Sequence, residues 1–195
     1  EGFYLLFQPV VDAHSERLIG AEALIRWNKE PYGMVPPDQF IPILESDSLF
    51  PELGKWIIEE SILAAKQVRE LHPEFVVNVN LSYSQIEEPG FVDMVLQILR
   101  ELEYPPEHLC LEVTERCRLL DLKLLNNVVV SLKSNGILVA LDDFGTGFSS
   151  VGILKEIPID VIKIDRSFVN MIEENAIDRH LVENVVKLAS IFGAK

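Results

Sequence analysis

The chain has 195 residues, 48% of them hydrophobic and 25% charged, with a formal net charge of −14. That length and apolar content suit one sizeable core in a single domain. The acidic balance argues against a nucleic-acid duplex or an anionic membrane surface as direct partner, because phosphate binding needs clustered Lys and Arg. A small phosphate substrate stays open if metal ions supply the positive charge. Two cysteines, Cys110 and Cys117, are too few for a disulfide framework and fit a reducing, cytoplasmic compartment. The apolar runs fall short of the ~18 residues that a membrane span needs. Glu1 leads almost directly into an apolar run, and the chain stops just after a helical pattern. Both ends therefore read as cuts in a longer, multidomain polypeptide, whose other parts could anchor it to a membrane.

In chain order, short apolar runs rich in β-formers fall at residues 4–11, 18–27, 75–81, 109–114, 137–142 and 161–165. Several are nearly continuous in apolar residues, as expected of strands buried on both faces. Helical patterns fall between them, at residues 37–48, 51–71, 84–103, 121–135 and 177–192. Pro37-Asp38 opens the first of these helices, and Asn135-Gly136 stops the fourth just before a strand. From the third strand onward, strand and helix alternate, which predicts parallel strands joined by crossovers in an α/β barrel. The first pair differs. Six residues, 12–17, join its strands, whereas a parallel crossover needs a dozen or more. The first strand is therefore expected to run antiparallel to the second.

Polar residues interrupt these strands near their C-terminal ends. Glu22 and Arg26 share one face of the second strand by even spacing. Asn78 and Asn80 lie in the third, Glu112 and Glu115 at the end of the fourth, Asp142 and Asp143 at the end of the fifth, and Lys163 and Asp165 in the sixth. A buried, unpartnered carboxylate is costly, so any one of them reads equally well as a salt bridge or a cap. Recurrence on five strands points instead to a site, and α/β barrels carry theirs at this end. Glu22, Asn80, Glu112 and Asp142 offer oxygen donors, which suit Mg²⁺, Mn²⁺ or Ca²⁺. The four His residues show no paired spacing, which argues against a His-rich zinc site. Adjacent Asp142 and Asp143 suit a two-metal arrangement that clamps the attacking and leaving oxygens of a phosphoryl displacement. Lys163 would add positive charge there or position the attacking water. The segment Asp143-Phe144-Gly145-Thr146-Gly147-Phe148-Ser149-Ser150 reads either as a functional lid or as a glycine-rich turn opening a helix.

These residues belong to a larger ordered set: Gln8-Pro9-Val10, Glu22-Ala23-Leu24-Ile25-Arg26-Trp27, residues 37–45 (PDQFIPILE), Asn78-Val79-Asn80, residues 111–115 (LEVTE), 142–150 (DDFGTGFSS) and 162–168 (IKIDRSF). At these spacings the chain resembles the EAL family of cyclic di-GMP phosphodiesterases along nearly its whole length. The resemblance implies a TIM-like (β/α) barrel with an antiparallel first strand, of which residues 1–195 would supply six of eight strands. It implies hydrolysis of one phosphodiester bond of cyclic di-GMP to linear pGpG, with Mg²⁺ or Mn²⁺ as cofactor in a two-metal site and Ca²⁺ as inhibitor. The alternative within the family is a catalytically inactive cyclic di-GMP receptor.

By the same resemblance, Glu22, Asn80, Glu112 and Asp142 match ligands of the first metal, and Asp143 the ligand of the second. Lys163 matches the catalytic-centre lysine. Gln8, Leu24 and Arg26 match substrate contacts, and Glu115 the glutamate that anchors the loop beginning at Asp143 and couples it to dimerisation, so a homodimer is expected. The family's seventh and eighth strands, the seventh with a further catalytic glutamate, are expected beyond Lys195.

Overall fold

A computed structural model describes residues 2–31, 33–114, 121–145, 150–170 and 172–195. Their contacts group into two compact units, residues 1–110 and 111–195.

The first unit opens on a long hairpin. Strand β1 (Phe3–Val11) pairs antiparallel with β2 (Leu18–Lys29), as the short connection requires. Strand β2 runs two residues past its expected end because a short strand, β3 (Gly33–Val35), folds back on it and pairs Trp27 with Val35. That addition carries no alternating pattern of its own and was not legible in the sequence. Strand β4 (Val76–Asn80) then joins β2 in parallel, with Glu22 opposite Asn78. Gly20 makes this pairing possible, since a Cβ there would lie 2.4 Å from the Val76 carbonyl oxygen.

Helix α1 (Pro37–Leu44) starts with a proline at its first position, where no intrahelical N–H is needed. Helix α2 (Phe50–Arg69) buries Ile58, Ile62 and Ala65, spaced four and three apart, against β4. Each such isoleucine contributes about 1.5–3 kcal/mol of burial. The single helix expected at residues 84–103 is two helices. Helix α3 (Tyr83–Glu87) is closed by a Ser82–Gln85 capping box, and α4 (Phe91–Glu101) starts after Pro89-Gly90, where Gly90 takes φ 83. Helical periodicity continues across the break, so the pattern hid it. A 3₁₀ turn, Pro106–His108, leads into β5 (Leu109–Thr114), and the division between the units falls after Cys110 in the chain.

In the second unit, β5, β6 (Leu138–Phe144) and β7 (Val161–Ile164) are neighbours in that order, and β6 and β7 are parallel. Helix α5 (Leu122–Ser134) is capped by Asp121, whose carboxylate accepts from the Lys123 and Leu124 amides. It buries Leu125, Val129 and Leu132 and packs on β6. Helix α6 (Ser150–Glu156) precedes β7, and a single turn, α7 (Arg166–Val169), follows it. Helix α8 (Ala176–Phe192) ends on Gly193 with φ 72. Asp160 ties the unit together. It accepts from Lys133 Nζ at 2.5 Å and from the Val139 amide at 2.9 Å.

Candidate metal and phosphate site

Each unit gathers its own share of the expected residues. In the first, strand pairing brings the side chains to one face. Gln8 lies directly opposite Glu22, Leu6 opposite Leu24 and Tyr4 opposite Arg26, and directly opposed residues share a face. The three expected substrate contacts, Gln8, Leu24 and Arg26, therefore flank Glu22 on the same side of the hairpin. Asn80, at the end of β4, donates from Nδ2 to Glu22 Oε1 at 2.7 Å. Asn78 points its amide at the Ala21 carbonyl oxygen, 3.2 Å away, and acts as a tie between β2 and β4. Arg26 donates to the Ile25 carbonyl oxygen at 2.9 Å. At the C-cap of α1, partial desolvation pushes the carboxyl of Glu45, the last residue of the PDQFIPILE segment, above its ordinary range.

The second unit holds a tighter arrangement. Strand β5 is buried on both faces, and Glu112 shares the face of Cys110 with only 1% of its surface exposed. Its charge has a counterpart. Lys163 Nζ lies 2.5 Å from Glu112 Oε2 and 3.5 Å from Asp142 Oδ1. Carboxylate oxygens of Glu112 and Asp142 come within 4.8 Å of each other. Two carboxylates this close repel unless a cation sits by them, and here the ammonium fills that role.

How two successive aspartates come to one strand end is explained by the register. Ala140 pairs with Val161 and Leu141 with Ile162, but the next pair is Phe144 with Ile164. Asp142 and Asp143 thus stand opposite the single residue Lys163, which is a β-bulge. In a regular strand the two would alternate between faces. Here both stand against Lys163 in the register, and Asp143 takes a left-handed φ of 55 within the bulge. Asp165, counted from the sequence among the polar strand residues, is a helix cap. It accepts from the Ser167 amide at 2.9 Å, and the Ser167 hydrogen bonds hold its carboxyl below the usual range. Glu115 lies outside the described residues, as do Cys117 and residues 146–149 of the glycine-rich segment.

The comparisons with known proteins bear on this geometry. The family model described as EAL domain matches residues 1–195.

The chain belongs to the EAL domain family.

Among curated relatives, it is 35% identical over 195 residues to MucR, a bifunctional diguanylate cyclase/cyclic di-GMP phosphodiesterase of Pseudomonas aeruginosa, covering 98% of this chain and 28% of that protein. It is 36% identical over 183 residues to PdeL, a cyclic di-GMP phosphodiesterase of Escherichia coli, covering 93% of this chain and 51% of that one. Among solved structures, the EAL enzyme Bd1971 with cAMP and cyclic di-GMP bound superposes with a TM-score of 0.92 at 30% identity, over 100% of this chain and 54% of that chain. The MucR phosphodiesterase in complex with c-di-GMP gives a TM-score of 0.91 at 34% identity, over 100% of this chain and 79% of that one. The solved neighbours are EAL domains, so the α/β class expected from the sequence, TIM-like with an antiparallel first strand, holds. The chain spans about half or less of the length of these curated relatives.

Oxygen donors fit a hard divalent cation in both units: Glu22 beside Asn80 in one, and Glu112 beside Asp142 in the other. Among the described residues, no helix is long and apolar enough to cross a membrane.

Proposed function

We propose that this EAL domain hydrolyses one phosphodiester bond of cyclic di-GMP to linear pGpG with the help of two Mg²⁺ or Mn²⁺ ions. The observation that carries the reading is the β-bulge that sets Asp142 and Asp143 against Lys163, with Glu112 within reach of the same ammonium. Adjacent carboxylates that hold metal ions, together with a nearby positive charge, suit phosphoryl transfer. Two similar proteins, MucR and PdeL, carry cyclic di-GMP phosphodiesterase in their names.

In this reading Glu22, Asn80, Glu112 and Asp142 hold the first ion and Asp143 the second. Bound ions would polarise a phosphoryl oxygen and lower the pKa of a bound water. The chain's own groups do the rest. Lys163 moves between Glu112, Asp142 and the phosphate oxygens as charge develops. Arg26 grips a substrate phosphate through a guanidinium that matches its geometry, while Gln8 and Leu24 contact the substrate beside it. Glu115 would anchor the backbone that follows Asp143. The working unit is proposed to be a cytoplasmic homodimer.

Incubating the full-length protein with cyclic di-GMP and Mg²⁺ should release pGpG, resolved by liquid chromatography. EDTA should abolish the release, and Ca²⁺ should fail to restore it. Tight binding of cyclic di-GMP without turnover in saturating Mg²⁺ and Mn²⁺ would replace this reading with that of a receptor.

A further inference from the structure

Asp143 keeps a left-handed backbone that an aspartate adopts at a cost. Such a conformation persists where its surroundings over-determine it. On one side the bulge supplies that constraint. On the other, the support comes from α7. Gly145, two residues on, has φ 105, and a Cβ there would lie 2.8 Å from Cε2 and 3.1 Å from Cζ of Phe168. The Phe168 ring is thus pressed against bare backbone. Between the two residues, Phe144 is buried, and its carbonyl oxygen accepts from the Asp165 amide at 3.5 Å.

The platform carrying the ring is itself braced. Asp165 caps α7 through the Ser167 amide, Phe168 N donates to the Asp165 carbonyl oxygen at 3.1 Å, and α7 packs on α8. This turn follows directly on β7, three residues after Lys163. The same short segment therefore supplies the ammonium facing the bulge and the ring that backs it.

We propose that Phe168 is a positioning residue for Asp143: its ring against Gly145 holds the backbone in the conformation that presents the Asp143 carboxylate to the second metal ion. This rests on the two-metal reading above. An aromatic ring that merely filled a core would have no effect confined to one ion.

The test is direct Mn²⁺ binding to the full-length protein, read from the electron paramagnetic resonance signal of free Mn²⁺, beside thermal melting. The wild type should bind two ions per subunit. Phe168→Ala should weaken the looser ion about tenfold, the scale typical of groups that orient metal ligands, and leave the tighter ion unchanged. Phe168→Tyr, which keeps the ring, should restore both. Gly145→Ala offers an independent route should Phe168→Ala fold poorly, since its methyl would collide with the ring, and it should weaken the same ion. An unchanged looser ion in Phe168→Ala and Gly145→Ala, or equal weakening of both ions, overturns the proposal while the site reading stands. Fewer than two ions in the wild type overturns both.

Discussion

The two units hold their acidic residues by different means. In the first, Glu22 is steadied by a neutral amide, Asn80, from the neighbouring parallel strand. In the second, Glu112 and Asp142 are steadied by a full positive charge, Lys163. The first arrangement fixes geometry at little electrostatic cost, because Asn80 and Glu22 keep contact with solvent. The second neutralises charge in a place where Glu112 is almost wholly shielded from water. An amide can share its carboxylate with a metal ion, whereas an ammonium must be displaced or reoriented by one. The second unit is therefore where ion binding and protein stability are most tightly linked.

Lys163→Met should break the comparison most strongly. It leaves the buried Glu112 beside Asp142 without the ammonium, and losing one member of a buried pair costs about 3 kcal/mol or more. Urea unfolding without metal should show that loss, and saturating Mg²⁺ should recover part of it. Turnover should fall about 10²–10³-fold, the scale for removing one group that stabilises developing charge. Equal stability of the variant and wild type without metal would show that the ammonium is not what balances Glu112.

Asn80→Ala sharpens the comparison from the other side. Removing a half-solvated hydrogen bond should cost about 1 kcal/mol, with no recovery specific to Lys163. Turnover should drop at least about tenfold, through loss of an oxygen ligand to the first ion and looser placement of Glu22. If Asn80→Ala proved as destabilising as Lys163→Met, the distinction between a geometric and an electrostatic half would fall.

The smallest effect at neutral pH belongs to Tyr104, which lies in the first unit and belongs to neither set. Burial raises its phenol to about 12, partly countered by Arg69, which sits over its ring. Because the folded value lies above the ordinary 10, Tyr104 favours the fold fully below pH ~10. That contribution is lost as pH rises toward ~12. Absorbance titration should show one of the four tyrosines ionising last, and Tyr104→Phe should remove that late phase. Metal affinity at neutral pH should not change in this variant.

Much of the fold was legible because local signals agreed with it. The six-residue connection forced β1 and β2 antiparallel, and Asp121, Pro37 and Asn135-Gly136 marked helix ends that the structure keeps to within a few residues. Where periodicity ran on across Pro89-Gly90, the helix break was hidden, since apolar spacing continued on both sides of it. Strand β3 was hidden for the opposite reason: three residues carry too little pattern to read.

The site divides the same way. Residue type alone marked Glu22, Asn80, Glu112, Asp142 and Lys163, because charged and amide groups in apolar strands demand a reason. Asp165 looked equivalent in the sequence and is a cap for a single helical turn. Phe168 entered only as the last residue of the family-like segment 162–168, with no role attached, since an aromatic residue after a strand usually means core.

By itself the sequence determined which chemistry the chain carries: oxygen donors and one lysine spaced along strands, in an order shared with the EAL family. Tertiary structure decided which of those groups meet. A regular strand would have set Asp142 and Asp143 against two successive partners, and nothing in the residue string says otherwise. Only pairing with β7 reveals the extra residue, since a bulge is defined by two strands counted against each other and not by either one alone.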